Sequence, residues 1–293
     1  MIKMQCPAKV NLFLEVTGKR PDGYHRLATL FAKINLYDVL EVEGAPSGVT
    51  LEVVSDAPLS ASPDNLVCRA AEAFLRGFRV DGGARLRLIK RIPMGAGLGG
   101  GSSDAAGALL GLVKLYGLRL DAKRKAALLR MAAALGADVP FFLHPAPFCV
   151  GTGIGDRLKP VRIARSLPYL VLAYPGLRVS TAQAYKALPA APRSAVLARL
   201  AQLDRLIRGL QRGRPVEEWE GLLFNRLEGA PLPVLAQVEQ ARQVLARLGV
   251  RGARMSGSGS SVFGFVASHG EGESVLRRLR GYPWQCFLTS CQG

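Results

Sequence analysis

No C-x-x-C pair occurs in the chain, and the five cysteines, at 6, 68, 149, 286 and 291, are odd in number. With only His25, His144 and His269 available as imidazole ligands, a zinc site would need unusual spacing. Reduced, mostly packed thiols are expected instead. Long apolar runs are also missing. Those present are short and broken by glycine, proline or charge, which argues against a transmembrane helix. Met1-Ile2-Lys3-Met4 leads into Cys6-Pro7 without an apolar signal region, so no secretion signal is read and a cytoplasmic location is expected. Acidic residues are scarce, 22 against 39 Lys and Arg, for a net charge of +17. Such an excess raises the question of nucleic acid. The arginines are scattered, however, without a block of like charge, and scatter points more to compositional bias or a general attraction for anions. No specific nucleic-acid partner and no membrane partner are expected. A basic nucleic-acid-binding protein, whose binding would fall steeply with salt, is the alternative from a different class. What is present is a globular balance, 49% hydrophobic and 21% charged over 293 residues, enough for two domains and a large core.

The N-terminal half alternates. Val10, Leu12, Leu14 and Val16 fall on one face of a strand, with Lys9 and Asn11 on the other. A turn at Arg20-Pro21-Asp22-Gly23 follows, and Ala28, Leu30, Ala32, Ile34 and Leu36 alternate again. Residues 39–43 and 49–54 read as a hairpin around Gly44-Ala45-Pro46-Ser47-Gly48. Asp64-Asn65 can cap a helix carrying Leu66, Ala70, Phe74 and Phe78. A strand over 84–88 then delivers the chain to Pro93-Met94-Gly95-Ala96-Gly97-Leu98-Gly99-Gly100-Gly101-Ser102-Ser103, with one helix opening near Ser102 and another running from Asp121 to Gly136. Residues 148–161 have strand-like ends around a Gly151-to-Gly155 turn, and a domain boundary is placed near 160–168, giving domains 1–162 and 163–293. The second half reads as a strand over 169–173, several helices (the clearest with Val234, Val238, Ala241, Leu245 and Leu248), a Gly/Ser loop at 255–261, a strand over 262–266, a helix and a last strand. Strands mixed with helices and antiparallel hairpins indicate an α+β fold.

Three ligands compete for the glycine loop. Gly95, Gly97 and Gly100 spell G-x-G-x-x-G, but the acid at the right distance, Asp121, precedes an amphipathic helix and reads as its N-cap rather than a ribose ligand. A Walker loop needs a lysine after the glycines, and none follows. The remaining reading is a different phosphate cradle. Glycines let the backbone approach phosphate oxygens and turn N–H groups inward. The helix behind them adds free N–H groups and a positive dipole end, and Ser102 and Ser103 add hydroxyls for phosphate or magnesium. Asp138, in Gly136-Ala137-Asp138-Val139-Pro140, reads locally as a helix N-cap. It is also a candidate carboxylate for accepting or orienting a hydroxyl proton, with Lys9 as its partner against phosphoryl charge. Tyr24, His25 and Tyr185 singly suit packing; together they could stack on a base and read its edge. The loop at 255–261 offers a second set of backbone donors.

Pro7-Ala8-Lys9-Val10-Asn11-Leu12, residues 93–106 and residues 255–261 resemble, in order and spacing, the three signature segments of the galactokinase, homoserine kinase, mevalonate kinase and phosphomevalonate kinase superfamily. Arg20-Pro21-Asp22-Gly23-Tyr24-His25, Asp64-Asn65-Leu66-Val67 and residues 136–142 are similar to its branch acting on diphosphocytidyl methylerythritol, over essentially the whole chain. The resemblance implies a two-domain α+β fold with the active site in the cleft between domains. It implies ATP and Mg2+ as cofactors, and phosphoryl transfer to the substrate's 2-hydroxyl in non-mevalonate isoprenoid precursor synthesis. It implies Asp138 as base and Lys9 as its partner, and Asn11 on the methylerythritol side. Tyr24, His25, Thr181 and Tyr185 would hold the cytidyl substrate. Residues 93–103, from Pro93 to Ser103, would take the ATP phosphates, and Asn65 would lie near adenine. A monomer or weak homodimer is expected. Asn225-Arg226 stands where relatives often have Asn-Asp, so Arg226 receives no role. A homoserine or mevalonate kinase is the alternative within the superfamily.

Overall fold

Two strands at the start of the chain are longer than their alternation suggests: β1 spans Ile2–Lys19 and β2 His25–Ala45. In the computed structural model, described here for residues 1–56, 62 and 64–293, the chain divides into two compact units, and both strands pass through each. Met1–Ala8, Leu36–Pro93 and Gly99–Pro145 make the first unit; Lys9–Asn35, Met94–Leu98 and Ala146–Gly293 make the second. This division by contact differs from the sequential one at 162/163. Strands of 18 and 21 residues, at about 3.3 Å per residue, outrun a single core.

In the first unit, β3 (Val49–Val54) leads into α1 (Leu66–Phe78), β4 (Gly83–Ile89), α2 (Gly100–Leu115), α3 (Ala122–Leu135) and α4 (Val139–Leu143). The hairpin expected over 39–54 does not form. β4 pairs antiparallel with β2, Val39 opposite Ile89, and parallel with β3, Val49 opposite Ala84. The turn chemistry at 44–48 is real, but α1 supplies a crossover, and a β-α-β path puts β3 parallel to its partner. Burial agrees with this order. β4 carries Ala84, Leu86 and Leu88 at 0–1% exposure, whereas β3 alternates between half-buried and exposed residues and buries none. Asn65 caps α1, its side-chain oxygen accepting from Val67 N–H at 3.0 Å, and Asp121 caps α3 through Arg124 N–H at 2.8 Å. α2 is buried along most of its length. It reaches its neighbours because it is built from small residues: a Cβ on Gly107 would collide with the Cys6 thiol.

In the second unit, β5 (Phe148–Thr152) pairs antiparallel with the first part of β2 and forms a hairpin with β6 (Arg157–Pro160). Then follow β7 (Tyr169–Tyr174), α5 (Thr181–Ala187), α6 (Arg193–Gln211), α7 (Val216–Trp219) and β8 (Phe224–Asn225). The chain closes with α8 (Leu235–Arg247), β9 (Arg251–Met255), β10 (Val262–Val266), α9 (His269–Leu279) and β11 (Gln285–Thr289). β7 and β9 to β11 form an antiparallel sheet in the order β11-β7-β10-β9. Its core gathers Val171, Val262, Met255, Ala241 and Leu245. β10 is buried at every position, so it reads as a continuous apolar run with sheet neighbours on both sides. Cys6, Cys68, Cys149 and Cys291 are buried and Cys286 is half-buried, in keeping with mostly packed thiols. No described helix is long and apolar enough to cross a membrane.

Candidate active site

The expected site residues fall into two groups, one in each unit. The first unit holds Asn65, Pro93, Gly99 to Ser103 and Asp138. α2 begins at Gly100, two residues before the serines, with Gly99 as N-cap in the left-handed region (φ 69°) and no side-chain cap. The first N–H groups of a 16-residue helix therefore have no capping side chain, and helix N-termini of this kind suit anions. Behind them the Ser103 hydroxyl is buried and has no hydrogen-bond partner among the described residues. A buried hydroxyl in that state carries a cost that a ligand oxygen or a metal ion would remove.

Asp138 sits at the cap position of α4, half-buried, with Pro140 just inside, but its side chain makes no capping hydrogen bond. The Gly136–Asp138 turn lies against the start of α2: a Cβ on Gly136 would stand 3.9 Å from Ser102 Oγ. The first unit thus brings the serines and the aspartate turn together.

A charged cluster that the sequence did not reveal anchors this end of α2. Lys90 Nζ donates to Asp38 Oδ2 at 2.5 Å and to Asp104 Oδ2 at 2.7 Å, with all three side chains nearly inaccessible. Asp38 Oδ1 also accepts from the N–H groups of Arg91 and Ile92. Burial pushes the Asp104 carboxyl up to about 8; the Lys90 ammonium opposes that shift and the Asp38 charge adds to it. The cluster joins residues from 38 to 104, so no local pattern announces it.

The second unit holds Lys9, Asn11, Tyr24, His25, Met94 to Leu98, Thr181 and Tyr185. Alternation places Lys9 and Asn11 on the polar side of β1, but that side is no less buried: Lys9 is 3% and Asn11 2% exposed. They are held by a relay. Lys9 Nζ donates to Asn11 Oδ1 at 2.6 Å, Asn11 Nδ2 to Thr29 Oγ1 at 2.8 Å, and Thr29 Oγ1 to the Phe13 carbonyl at 2.7 Å. The Phe31 ring lies 5.6 Å from the ammonium.

Met94 to Leu98 is tied to the same place. The Lys9 N–H donates to the Leu98 carbonyl at 3.0 Å, and Ser256 Oγ to the Gly97 carbonyl at 3.0 Å. Gly95 and Gly97 have φ of 65° and 76°. At Gly97 a side chain is doubly forbidden, because its Cβ would also collide with the Ser256 carbonyl. The two Gly/Ser loops are therefore in direct contact within this unit.

The aromatic residues divide. His25 and Tyr185 stack, with centroids 5.3 Å apart and planes 22° from parallel. Burial, and then the charge of Lys19, hold the His25 imidazole below its ordinary pKa, which keeps one ring nitrogen as an acceptor at neutral pH. Tyr24 is 62% exposed at the end of a turn closed by Arg20 N–H on the Tyr24 carbonyl at 2.7 Å. Thr181, the first residue of α5, shares a 2.9 Å hydrogen bond with Ser258. That bond links the helix bearing Tyr185 to the second Gly/Ser loop. Arg226, left without a role, pairs with Glu15 and donates to the Pro189 carbonyl.

A glycine-rich loop running into a helix N-terminus, a buried lysine and a stacked aromatic pair are the kind of features a nucleotide-using kinase has. Residues 65–145 match the model of the GHMP kinases N terminal domain and residues 199–283 that of the GHMP kinases C terminal. The chain is 40% identical over 277 residues to a 4-diphosphocytidyl-2-C-methyl-D-erythritol kinase of Thermus thermophilus, covering 94% of this chain and 92% of that one. A crystal structure of 4-(cytidine 5'-diphospho)-2C-methyl-D-erythritol kinase matches with a TM-score of 0.78 at 37% identity, over 100% of both chains. A homoserine kinase from Cytophaga hutchinsonii matches with a TM-score of 0.77 over 99% of this chain and 94% of that one, but at 19% identity it shows the fold alone. The chain belongs to the 4-diphosphocytidyl-2-C-methyl-D-erythritol kinase family, within the GHMP kinases.

Proposed function

We propose that the chain phosphorylates the 2-hydroxyl of 4-diphosphocytidyl-2-C-methyl-D-erythritol, in non-mevalonate isoprenoid precursor synthesis. The observation that carries this choice over its superfamily relatives is the stacked His25–Tyr185 pair. Homoserine and mevalonate offer no base for such a pair to grip, whereas cytosine offers both a ring face and a hydrogen-bonding edge. ATP supplies the phosphoryl group, and Mg2+ offsets its charge when bound.

Each residue then has a task. Asp138 accepts or orients the proton of the acceptor hydroxyl, so that its oxygen bonds to the γ-phosphorus as the bond to the bridging oxygen breaks. Lys9 offsets charge on the transferring group, and Asn11, which already accepts from Lys9, sets its direction and faces the methylerythritol side. Residues 93–101 cradle the phosphates, with backbone N–H groups from Met94 onward, Ser102 and Ser103 give hydroxyls to phosphate or Mg2+, and Asn65 lies by adenine. Tyr24, His25, Thr181 and Tyr185 hold the cytidyl half. Residues 1–162 and 163–293 are the family's sequential domains, a division supported by one family match on each side. The same reading carries a cytoplasmic enzyme, monomeric or a weak homodimer.

The test is to incubate the protein with ATP, magnesium and a panel of alcohols while following ADP. Turnover is expected with the diphosphocytidyl substrate. Turnover with homoserine or mevalonate, and none with the cytidyl compound, would reject the proposal. Tyr185→Ala should raise the Michaelis constant for the cytidyl substrate by roughly 10-fold or more, as loss of one base–aromatic stack does, and leave that for ATP alone. An effect confined to ATP would move Tyr185 out of the cytosine site.

A further inference from the structure

We propose that Asn225 and Glu228 are positioning residues for Lys9, acting through the second Gly/Ser loop. Strand β8 is two residues long and lies parallel to β1, with Leu14 opposite Asn225. So short a strand contributes little to a sheet, yet it brings Asn225, 2% exposed, to the base of the loop. The Asn225 amide donates to the carbonyls of Met255 and Gly257, both at 2.8 Å, and its Oδ1 accepts from Leu227 N–H at 2.9 Å. Both of its N–H donors and its oxygen are thus engaged. Three residues on, Glu228 Oε1 accepts from the Met255 N–H at 2.7 Å. Met255 is gripped through its N–H by one side chain and through its carbonyl by the other. Arg226, between them, pairs with the buried Glu15 on β1 at 3.7 Å and fixes the clamp to the strand that carries Lys9.

The gripped backbone ends at Gly257, and Gly257 faces the lysine. A Cβ there would stand 3.2 Å from Lys9 Nζ and 2.9 Å from the Gly97 carbonyl oxygen. The loop therefore forms one wall of the space in which the ammonium sits, and it holds the glycine-rich segment through Ser256 and Gly97. Release of the clamp lets that wall recede. The ammonium then loses its direction while its charge stays, and small displacements of a charged group cost rate rather than binding.

The proposal rests on the reading of Lys9 given above. The test is steady-state kinetics on wild type, Asn225→Ala, Lys9→Met and the double variant, with ATP and the diphosphocytidyl substrate. Asn225→Ala should lower kcat by about tenfold without changing the Michaelis constant for the cytidyl substrate, and the loss should vanish when Lys9 is already Met. Glu228→Ala should behave alike, and Glu228→Gln, which keeps an acceptor for the Met255 N–H, should recover most of that loss. If Asn225→Ala does not fold, Glu228→Ala in the same cycle decides. Losses that multiply, equal with and without Lys9, would overturn the clamp alone. Normal turnover of Lys9→Met would overturn the role of Lys9 and the clamp with it.

Discussion

Asp138→Asn should lower turnover by ~10²-fold or more while ATP still binds. The substitution separates two roles that local sequence cannot. Asparagine caps a helix as well as aspartate does, so a residue that only starts α4 would tolerate the change. Asp138 does not act as a cap, however: its side chain makes no capping hydrogen bond to α4. An amide of the same shape keeps the turn and Pro140 in place but has no carboxylate oxygen to receive the hydroxyl proton. Initial rates with the diphosphocytidyl substrate, set beside a calorimetric titration with ATP, decide the matter. Near-normal rates would return Asp138 to a purely structural position.

The second large effect is expected at Lys9. Lys9→Met should lower kcat by about 10²- to 10³-fold, the scale of losing a preorganised charge from the transition state. Methionine is unbranched and apolar and fills the stem's volume in a position only 3% exposed, so the second unit should still fold. Its stability should fall modestly. Asn11 Oδ1 loses the donor 2.6 Å away, and an orphaned buried acceptor costs about 1–3 kcal/mol. A melting curve alongside the rates separates the two effects. A variant that melts near wild type but turns over slowly places Lys9 in the chemistry; one that keeps its rate does not.

How much of this was visible in the sequence depends on the distance over which each feature is written. The glycine loop is local, and its density, with the missing Walker lysine and the place of Asp121 as a helix cap, is enough to make it a candidate phosphate site. Asn65 and Asp121 cap helices because each sits beside the amide it bonds. Arg20 to Gly23 is a turn with its own chemistry. The failures are non-local. Residues 44–48 have every mark of a hairpin turn, yet the partner strand arrives after a helix. β9, Arg-Gly-Ala-Arg-Met, hides its strand behind two arginines and a glycine, although Ala253 and Met255 are buried. Alternation found the two faces of β1 but not that the face with Lys9 and Asn11 is buried too. That depends on Thr29 and Phe31, contributed by another strand. Asp38, Lys90 and Asp104, like the grip of Asn225 on Met255 and Gly257, meet only in the fold.

The passage of β1 and β2 through both units fixes the order in which a ribosome can deliver finished cores. Every segment of the first unit has been synthesised once residue 145 is made. Residues 9–35 lie earlier in the chain, but their partners β5 and β8 come after that point. Leu30 and Phe31 therefore wait for β5, made directly after residue 145, and Phe13 waits longer, for β8 at residues 224–225, although all three are at most 2% exposed in the finished protein. Long-range strand pairing is slow, and waiting apolar strands invite aggregation or a chaperone. For the same reason a gene cut at 162/163 would yield two fragments that share one unfinished core, and the lysine needed for the second unit would be on the first.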